Sequence, residues 1–528
     1  MLLPSASDRR PLIPAALILA ACLVRLAAFA RPPPIDNDEV RYLIAAHHLS
    51  TGEVYSDWRR PEIHIHPLQP WLTSLGGRST DSLELRGRMV NLMGSILLLF
   101  PLAALARRLR DGATANLLLL LLAVHPWLVR SAAGVQPESL YVLLTASAIL
   151  VLCPFPNGGV ATWRWAVAGL LFGFSYLARP EGALVGLLAG GIVVVRSGRR
   201  GVDAARAAGL FVAALVLAAS PYLLFLRRQT GEWVLTGKIS EIFFIGQALY
   251  AAKGTPPNAD ALHQVWADSQ SPLAFMAAHP GKTLATVTWN AWRIWGWALP
   301  RGLGLAGLLG GSVAAVLFLR RRDLRGRMLL IICPALTLFL MLFTFPNERV
   351  VASVVPFLLV PAAVGLSLLA DRFDFGRRGR RGRAIVALLV LAATGWIGPA
   401  RRAFGGAAVS GRRAVLQAVS VARREAGDGA AIASDNPSLS FYVADPMLFG
   451  PPGRYRPLPI EPTCGEMANV LSERGARVAL LDRPLDRQQL GLEGGNCRLR
   501  VVERLELPAE GRAIWIVAMT DGVPPKGR

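Results

Sequence analysis

Directly after the first long apolar run the chain reads Pro32-Pro33-Pro34-Ile35-Asp36-Asn37-Asp38-Glu39-Val40-Arg41-Tyr42. A carboxylate at such a place can take the proton of a hydroxyl as that hydroxyl attacks an electrophile, the role of a general base. The three prolines stop the preceding helix. Asp36 or Asp38 can then cap a new helix carrying Val40, Leu43, Ile44, His47 and His48 along the membrane surface. Capping accounts for one acid and leaves the others for chemistry. Asp38, at the helix start close to the bilayer and facing an outer cavity, is the first candidate for a functional acid, beside Asp36 and Glu39.

Other charges sit at the ends of apolar runs. They are Glu138 after Gln136-Pro137, Arg179 and Glu181 in Arg179-Pro180-Glu181-Gly182, and Glu348 and Arg349 after Phe345-Pro346-Asn347. Long charged side chains at such places can snorkel into headgroups. Brought to one membrane face with Asp38, however, they would line a polar cavity suited to a lipid phosphate and a hydroxyl acceptor. His64 and His66 stand two apart before Pro67-Leu68. No third ligand is set by spacing, so a substrate contact or a plain loop is the better reading, and no metal or other cofactor is expected.

The elements that must position these residues are membrane helices. Of 528 residues 53% are hydrophobic, and the mean hydropathy is +0.41. Whole stretches are apolar on every face, and a helix needs roughly 20 such residues to cross the hydrocarbon. Spans are expected near 11–30, 89–106, 113–129, 138–153, 163–178, 182–195, 205–226, 302–319, 328–345, 350–370 and 384–400. The formal charge of +22 comes from 57 basic and 35 acidic residues. The basic residues cluster in 107–110, 196–200, 320–327 and 372–383, between the spans. That is the pattern of cytoplasmic loops, and it argues against nucleic-acid binding. Arg9-Arg10 and Ala28-Phe29-Ala30 resemble a secretory signal, but Arg25 interrupts the apolar run and many spans follow, so an uncleaved first helix is expected.

With the N-terminus inside, all four basic loops are cytoplasmic. The Trp-rich stretch 284–300 is then an interfacial helix rather than a span. Residues 31–88 and 227–300 become outer loops of a membrane domain, 1–400. From 401 to 528 hydropathy falls, and short β-type runs at 430–433, 477–481, 499–505 and 513–519 predict a soluble α/β domain on the outer side. The fold class expected is an α-helical integral membrane bundle of about eleven transmembrane helices with this soluble domain appended. No internal repeat of the transporter kind is found, and the acids lie in outer loops rather than mid-span. A lipid-linked-substrate transporter or flippase is therefore the second choice.

The ordered set Asp38-Glu39-Val40-Arg41-Tyr42, His66-Pro67-Leu68, Pro137-Glu138, Arg179-Pro180-Glu181-Gly182 and Pro346-Asn347-Glu348-Arg349 resembles the GT-C glycosyltransferases of the protein-mannosyltransferase and aminoarabinose-transferase type. The resemblance covers roughly residues 12–370. Where many members have a late Arg-Tyr pair, this chain has Arg349-Val350. The resemblance implies a GT-C-like bundle, a polyprenyl-phosphate-linked sugar donor and a lipid, glycan or protein acceptor. It implies transfer with inversion at the outer face of the plasma (inner) membrane. Asp38 is then the general base, with Glu39 beside it as catalytic and Asp36 as the alternative base. Asp36, Arg41, Tyr42, His66, Glu138, Arg179, Glu181, Glu348 and Arg349 are expected to contact substrate, with Arg179 or Arg349 on the leaving phosphate.

Two expectations can be checked directly. A topology reporter fused after Arg401 should read as external and one within 372–383 as cytoplasmic; a cytoplasmic signal from the first would mean that the spans are miscounted. Cys464 and Cys497 lie outside the spans, in a domain expected in an oxidising compartment. They should form a disulfide, and labelling of both thiols without reductant would exclude it.

Overall fold

The computed structural model describes residues 12–57, 60–153, 161–196, 201–251, 271–321, 332, 335–339, 342, 348–372, 406–427, 430–445, 448–449, 458, 464–482, 499–507 and 512–519. The first expected span is helix α1 (Leu12–Phe29). After the Pro32–Pro34 break comes α2 (Asn37–Thr51), then the short α3 (Leu68–Ser74). Helices α4 (Leu83–Leu97) and α5 (Leu99–Leu109) together occupy the second expected span. The third is interrupted: α6 (Gly112–Val124) stops at His125, because Pro126 opens α7 (Pro126–Ser131). Next come α8 (Glu138–Leu152), α9 (Thr162–Ala178), α10 (Glu181–Arg196) and α11 (Val202–Thr230).

The second long loop holds α12 (Lys238–Ala251), α13 (Pro272–Ala278) and α14 (Pro280–Ala291). The Trp-rich stretch is not a separate interfacial helix. It runs through a π-helical turn, Trp292–Ala298, into α15 (Leu299–Arg321), and Gly304 alone leaves helical geometry. Short α16 (Glu348–Ala352) and long α17 (Val355–Arg372) follow. Among the described residues, four helical stretches are long and apolar enough to cross a membrane, and there are several shorter apolar helices. The expected span 328–345 lies largely, and 384–400 wholly, outside the described residues.

Small residues set the closest helix contacts. A Cβ on Gly173 would meet the Ala218 Cβ at 2.6 Å and the Leu215 carbonyl at 2.7 Å, and one on Gly169 would collide with the Phe211 carbonyl. Helices α9 and α11 therefore approach backbone to backbone along a Gly-x-x-x-Gly face. Arg25, buried in α1, is satisfied without a carboxylate. It donates to the Ser95 hydroxyl and to the carbonyls of Ser95, Ala21 and Leu122.

The two ends of the bundle differ. At one end Arg108 and Arg164 both donate to the Leu150 and Cys153 carbonyls, closing α8, and Arg110 pairs with Asp371 at the end of α17. At the other end lie the starts of α2, α8, α10 and α17. The basic run 107–110 and the acidic motifs thus occupy opposite ends.

The C-terminal residues form α18 (Gly406–Ala426), β1 (Ala431–Ser434), α19 (Pro437–Tyr442), α20 (Cys464–Glu473), β2 (Ala476–Leu481), β3 (Leu499–Leu507) and β4 (Arg512–Met519). The sheet order is β1-β2-β4-β3, with β1 and β2 parallel and the other pairs antiparallel. Alternation decides the faces. Val478, Leu480, Ile514 and Ile516 meet Val415, Val419 and Ala422 of α18. Ala479, Leu481 and Val517 meet Met467 and Leu471 of α20. Each strand begins and ends within one or two residues of its expected run. Cys464 is disulfide-bonded, while Cys497 lies outside the described residues.

Replacing Gly173 by Leu should force α9 and α11 apart. Overpacking costs about 1–3 kcal/mol where neighbours can shift, and the obstruction here is backbone, so the loss belongs at or above the top of that range. A thermal shift of the detergent-solubilised variant within about 2 °C of the parent would contradict the close approach.

Candidate active site

Five of the expected residues are brought together by helix ends. Asp38 is the second residue of α2, Glu138 opens α8, Arg179 closes α9, Glu181 opens α10 and Arg349 lies in α16. Arg179 donates through Nε and Nη2 to the Glu181 carboxylate at 3.3 and 2.9 Å. Its Nη1 reaches Glu138 Oε1 at 2.8 Å. The same Oε1 accepts from Arg349 Nε at 3.0 Å, and Arg349 Nη1 reaches Asp38 Oδ2 at 2.6 Å. The result is one chain of alternating charge, Glu181–Arg179–Glu138–Arg349–Asp38.

Exposure is low from Glu181 through Arg179 to Glu138 and rises at Arg349 and Asp38. The Glu181 and Glu138 side chains are each 5% exposed, Arg349 is 23% and Asp38 is 56%. The chain is anchored in the interior and presents a carboxylate at its open tip. Partial withdrawal from water would raise the Asp38 carboxyl, but Arg349, Lys238 and Arg41 outweigh it and hold the group below the usual carboxylate range. Asp38 is therefore an anion at neutral pH.

The α2 start is set by its neighbours. Asp36 accepts from the Glu39 N–H at 2.8 Å, and Glu39 Oε2 accepts from the Asp36 N–H at 3.1 Å, a capping box. Glu39 Oε1 also accepts from the Val135 N–H at 2.7 Å. Burial first, then the nearby Asp36, pushes the Glu39 carboxyl up to about 7. Glu39, expected beside Asp38 as a second catalytic acid, is instead buried with both oxygens committed to backbone N–H groups. Asp36 is likewise the helix cap.

Arg41 is diverted as well. Its Nη2 and Nε reach Glu62 Oε2 at 2.9 and 3.2 Å and its Nε lies 3.5 Å from Asp57, while it acts on Asp38 through its charge. Tyr42 is buried close enough to Arg349 and Glu138 to feel their charges. His66 is buried edge-on to Tyr176 at 5.0 Å, and burial lowers its imidazole to about 3, keeping it neutral. Glu348 opens α16, and its side chain lies outside the described residues.

The structure adds residues that no motif singled out. Lys238, first in α12, acts electrostatically on Asp38 and Glu181. It follows Gly237 in a loop with other lysines, so nothing local marks it. A cavity of about 1370 Å³ is lined by Asp36, Glu138 and Arg349, by Arg130, Arg293, Trp297 and Arg301, and by Asn436, Tyr442 and Asp482 of the C-terminal region. Trp297 is stacked by Arg301 at 4.1 Å and approached by Arg293 at 6.0 Å. The cavity thus offers apolar, aromatic, cationic and carboxylate surface together.

Residues 60–225 match the family described as dolichyl-phosphate-mannose-protein mannosyltransferase. No protein of curated function matches the sequence. Among solved structures, the chain is similar to ArnT from Cupriavidus metallidurans in the apo state. The identity is 14%, with 95% of this chain and 97% of that one covered and a TM-score of 0.58. The same protein bound to undecaprenyl phosphate gives 14% identity over 97% and 99% of the two chains, with a TM-score of 0.55. The archaeal oligosaccharyltransferase AglB from Archaeoglobus fulgidus, in complex with an inhibitory peptide and a dolichol-phosphate, gives 12% identity, 97% and 75% coverage and a TM-score of 0.51. The family match thus lies within residues 60–225, and the fold is shared with ArnT over nearly the whole of both chains.

Proposed function

We propose that the chain moves a sugar from a polyprenyl-phosphate donor to a hydroxyl acceptor at the outer face of the membrane, with inversion, using Asp38 as general base. The observation that carries this reading is the single ionised carboxylate at the open tip of the ion-pair chain. ArnT with undecaprenyl phosphate and AglB with a dolichol-phosphate support the donor class. The basic end of the bundle, opposite the acidic motifs, supports the outer placement of the site.

In this mechanism the acceptor oxygen attacks the anomeric carbon as its proton passes to an Asp38 oxygen. The bond from that carbon to the phosphate oxygen breaks on the opposite face, and the polyprenyl phosphate leaves with the electron pair. Protonation neutralises Asp38 and weakens its hold on Arg349. A guanidinium is thereby released toward the phosphate as its negative charge develops. Lys238 adds positive potential on the same side of the site. Neither step calls on a metal, because a phosphate monoester leaving group needs cations more than an acid. A lipid, a glycan or a protein side chain each presents the hydroxyl that this step requires of the acceptor.

Purified protein in nanodiscs, given a panel of radiolabelled polyprenyl-phosphate hexoses and pentoses with envelope membranes as acceptor, should move label to the acceptor from one donor. Release from none would overturn the reading. Asp38→Asn should lower kcat by about 10²–10⁴ without loss of folding; wild-type turnover by the folded variant would remove Asp38 from the mechanism. The rate should fall on acidification only below about pH 4, since a carboxyl held below its ordinary value stays ionised above that. Arg349→Gln removes the largest lowering influence, so its acid limb should move to higher pH. An unmoved limb would mean that Arg349 does not set the Asp38 charge.

A further inference from the structure

The C-terminal region touches the bundle at the segment that delivers Asp38. The Ile35 N–H donates to the Tyr442 phenol oxygen at 3.1 Å, across 407 positions of sequence. Arg412 of α18 donates to that same oxygen at 3.2 Å and to the Pro33 carbonyl at 3.4 Å. Arg412 also pairs with Glu84, with Nη2 to Oε2 at 3.2 Å. The Ser438 hydroxyl donates to the Asn37 side-chain oxygen at 2.9 Å. Three residues of one unit thus hold four groups on another, and three of those groups lie within Pro33–Asn37.

Apolar contact backs the polar ones. Phe441 and Leu448 are buried in one cluster with Ile35, Val40 and Ile44. Phe449 meets His47 edge-on at 5.4 Å. Residues 32–36 are neither helix nor strand, so no ladder of backbone bonds fixes them. From the bundle, Arg88 donates to the Pro33 carbonyl at 2.8 Å, Gln136 Nε2 reaches Asp36 Oδ2 at 3.5 Å, and Ile35 packs in the apolar cluster. Among the described residues, the other hydrogen bonds to Pro33 and Ile35 come from Tyr442 and Arg412.

We propose that Tyr442 and Arg412 are positioning residues for Asp38: the C-terminal domain grips residues 33–37 and thereby fixes the start of α2 and the carboxylate two residues into it. The proposal rests on Asp38 being the base. Its physical force comes from geometry, since a misplacement of about 1 Å can cost roughly 10²-fold in rate. On this view the domain is part of the transfer machinery and not an appended module.

The test uses full-length protein in nanodiscs, comparing Tyr442→Phe, Arg412→Gln and Arg412→Lys with the parent. Tyr442→Phe removes the acceptor of the Ile35 N–H. Hydrogen exchange at residues 35–38 should quicken by roughly three- to ten-fold, the range one net hydrogen bond supports. With the donor that the parent uses, kcat should fall by about ten-fold while donor KM stays within about two-fold, the signature of lost positioning rather than lost binding. Arg412→Gln should act alike, and Arg412→Lys should recover most of the rate. Unchanged exchange at 35–38 would overturn the grip. Faster exchange with an unchanged kcat would overturn the positioning role. Exchange across Ala476–Leu481 is read in the same spectra; its collapse together with kcat would make the effect one of unfolding and overturn the proposal. If the parent transfers from no donor, the glycosyl-transfer reading fails by itself, and exchange at 35–38 still decides whether the segment is held.

Discussion

Glu138 Oε1 accepts from two guanidinium groups at once, Arg179 at 2.8 Å and Arg349 at 3.0 Å. Two cations so close would repel strongly in a place with little water, and the carboxylate between them makes the arrangement stable. Removing one partner of such a buried pair typically costs about 3–5 kcal/mol, because the survivor keeps its desolvation penalty. Here the loss of Glu138 would leave two survivors of like charge. Its position at the first turn of α8 helps, since helix N-termini favour negative charge. Pro137 before it fixes where that helix begins. From this one oxygen the ends of α9 and α16 are tied to α8, and through Arg349 the start of α2 is tied as well.

The order of exposure along the charge chain matters for function. Interior pairs are geometrically fixed and hold their charge. Asp38 at the tip stays exposed while remaining ionised. A lone carboxylate facing a nonpolar cavity would drift toward the protonated state, as Glu39 does. The two adjacent acids therefore differ by environment alone. Asp38 faces cations and solvent, while Glu39 faces backbone N–H groups and Asp36. The capping box that consumes Asp36 and Glu39 is what turns Asp38 outward.

The C-terminal region meets α2 and the segment before it through Arg412 of α18 and Ser438 and Tyr442 of α19. The two faces of the sheet are filled by α18 and α20. Asn436 and Asp482, at the carboxyl ends of the parallel strands β1 and β2, line the same cavity as Arg349. The C-terminal residues thus both wall the cavity and bond to the segment that leads into α2. This gives a physical reason for the chain to carry 401–528 after the bundle.

Apolar runs longer than a turn-rich soluble helix, with arginines between them, determined the membrane class and most helix limits, because hydrocarbon admits few other segments. Period-two alternation likewise fixed the four strands to within a residue or two. The motif order marked Asp38, Glu138, Arg179, Glu181 and Arg349 as chemistry, since charge at the end of an apolar run is costly without a purpose. Pairing was beyond that reading. Whether Arg41 meets the site or Glu62, and whether Glu39 is a base or a cap, depends on where side chains some twenty to a hundred positions away come to rest. The continuity of the Trp-rich stretch with α15 was also hidden, because a π turn leaves no hydropathy signal. Lys238, Arg412 and Tyr442 sit in unremarkable local sequence. Only folding brings them to Asp38, through electrostatic and hydrogen-bonding partners that no spacing encodes.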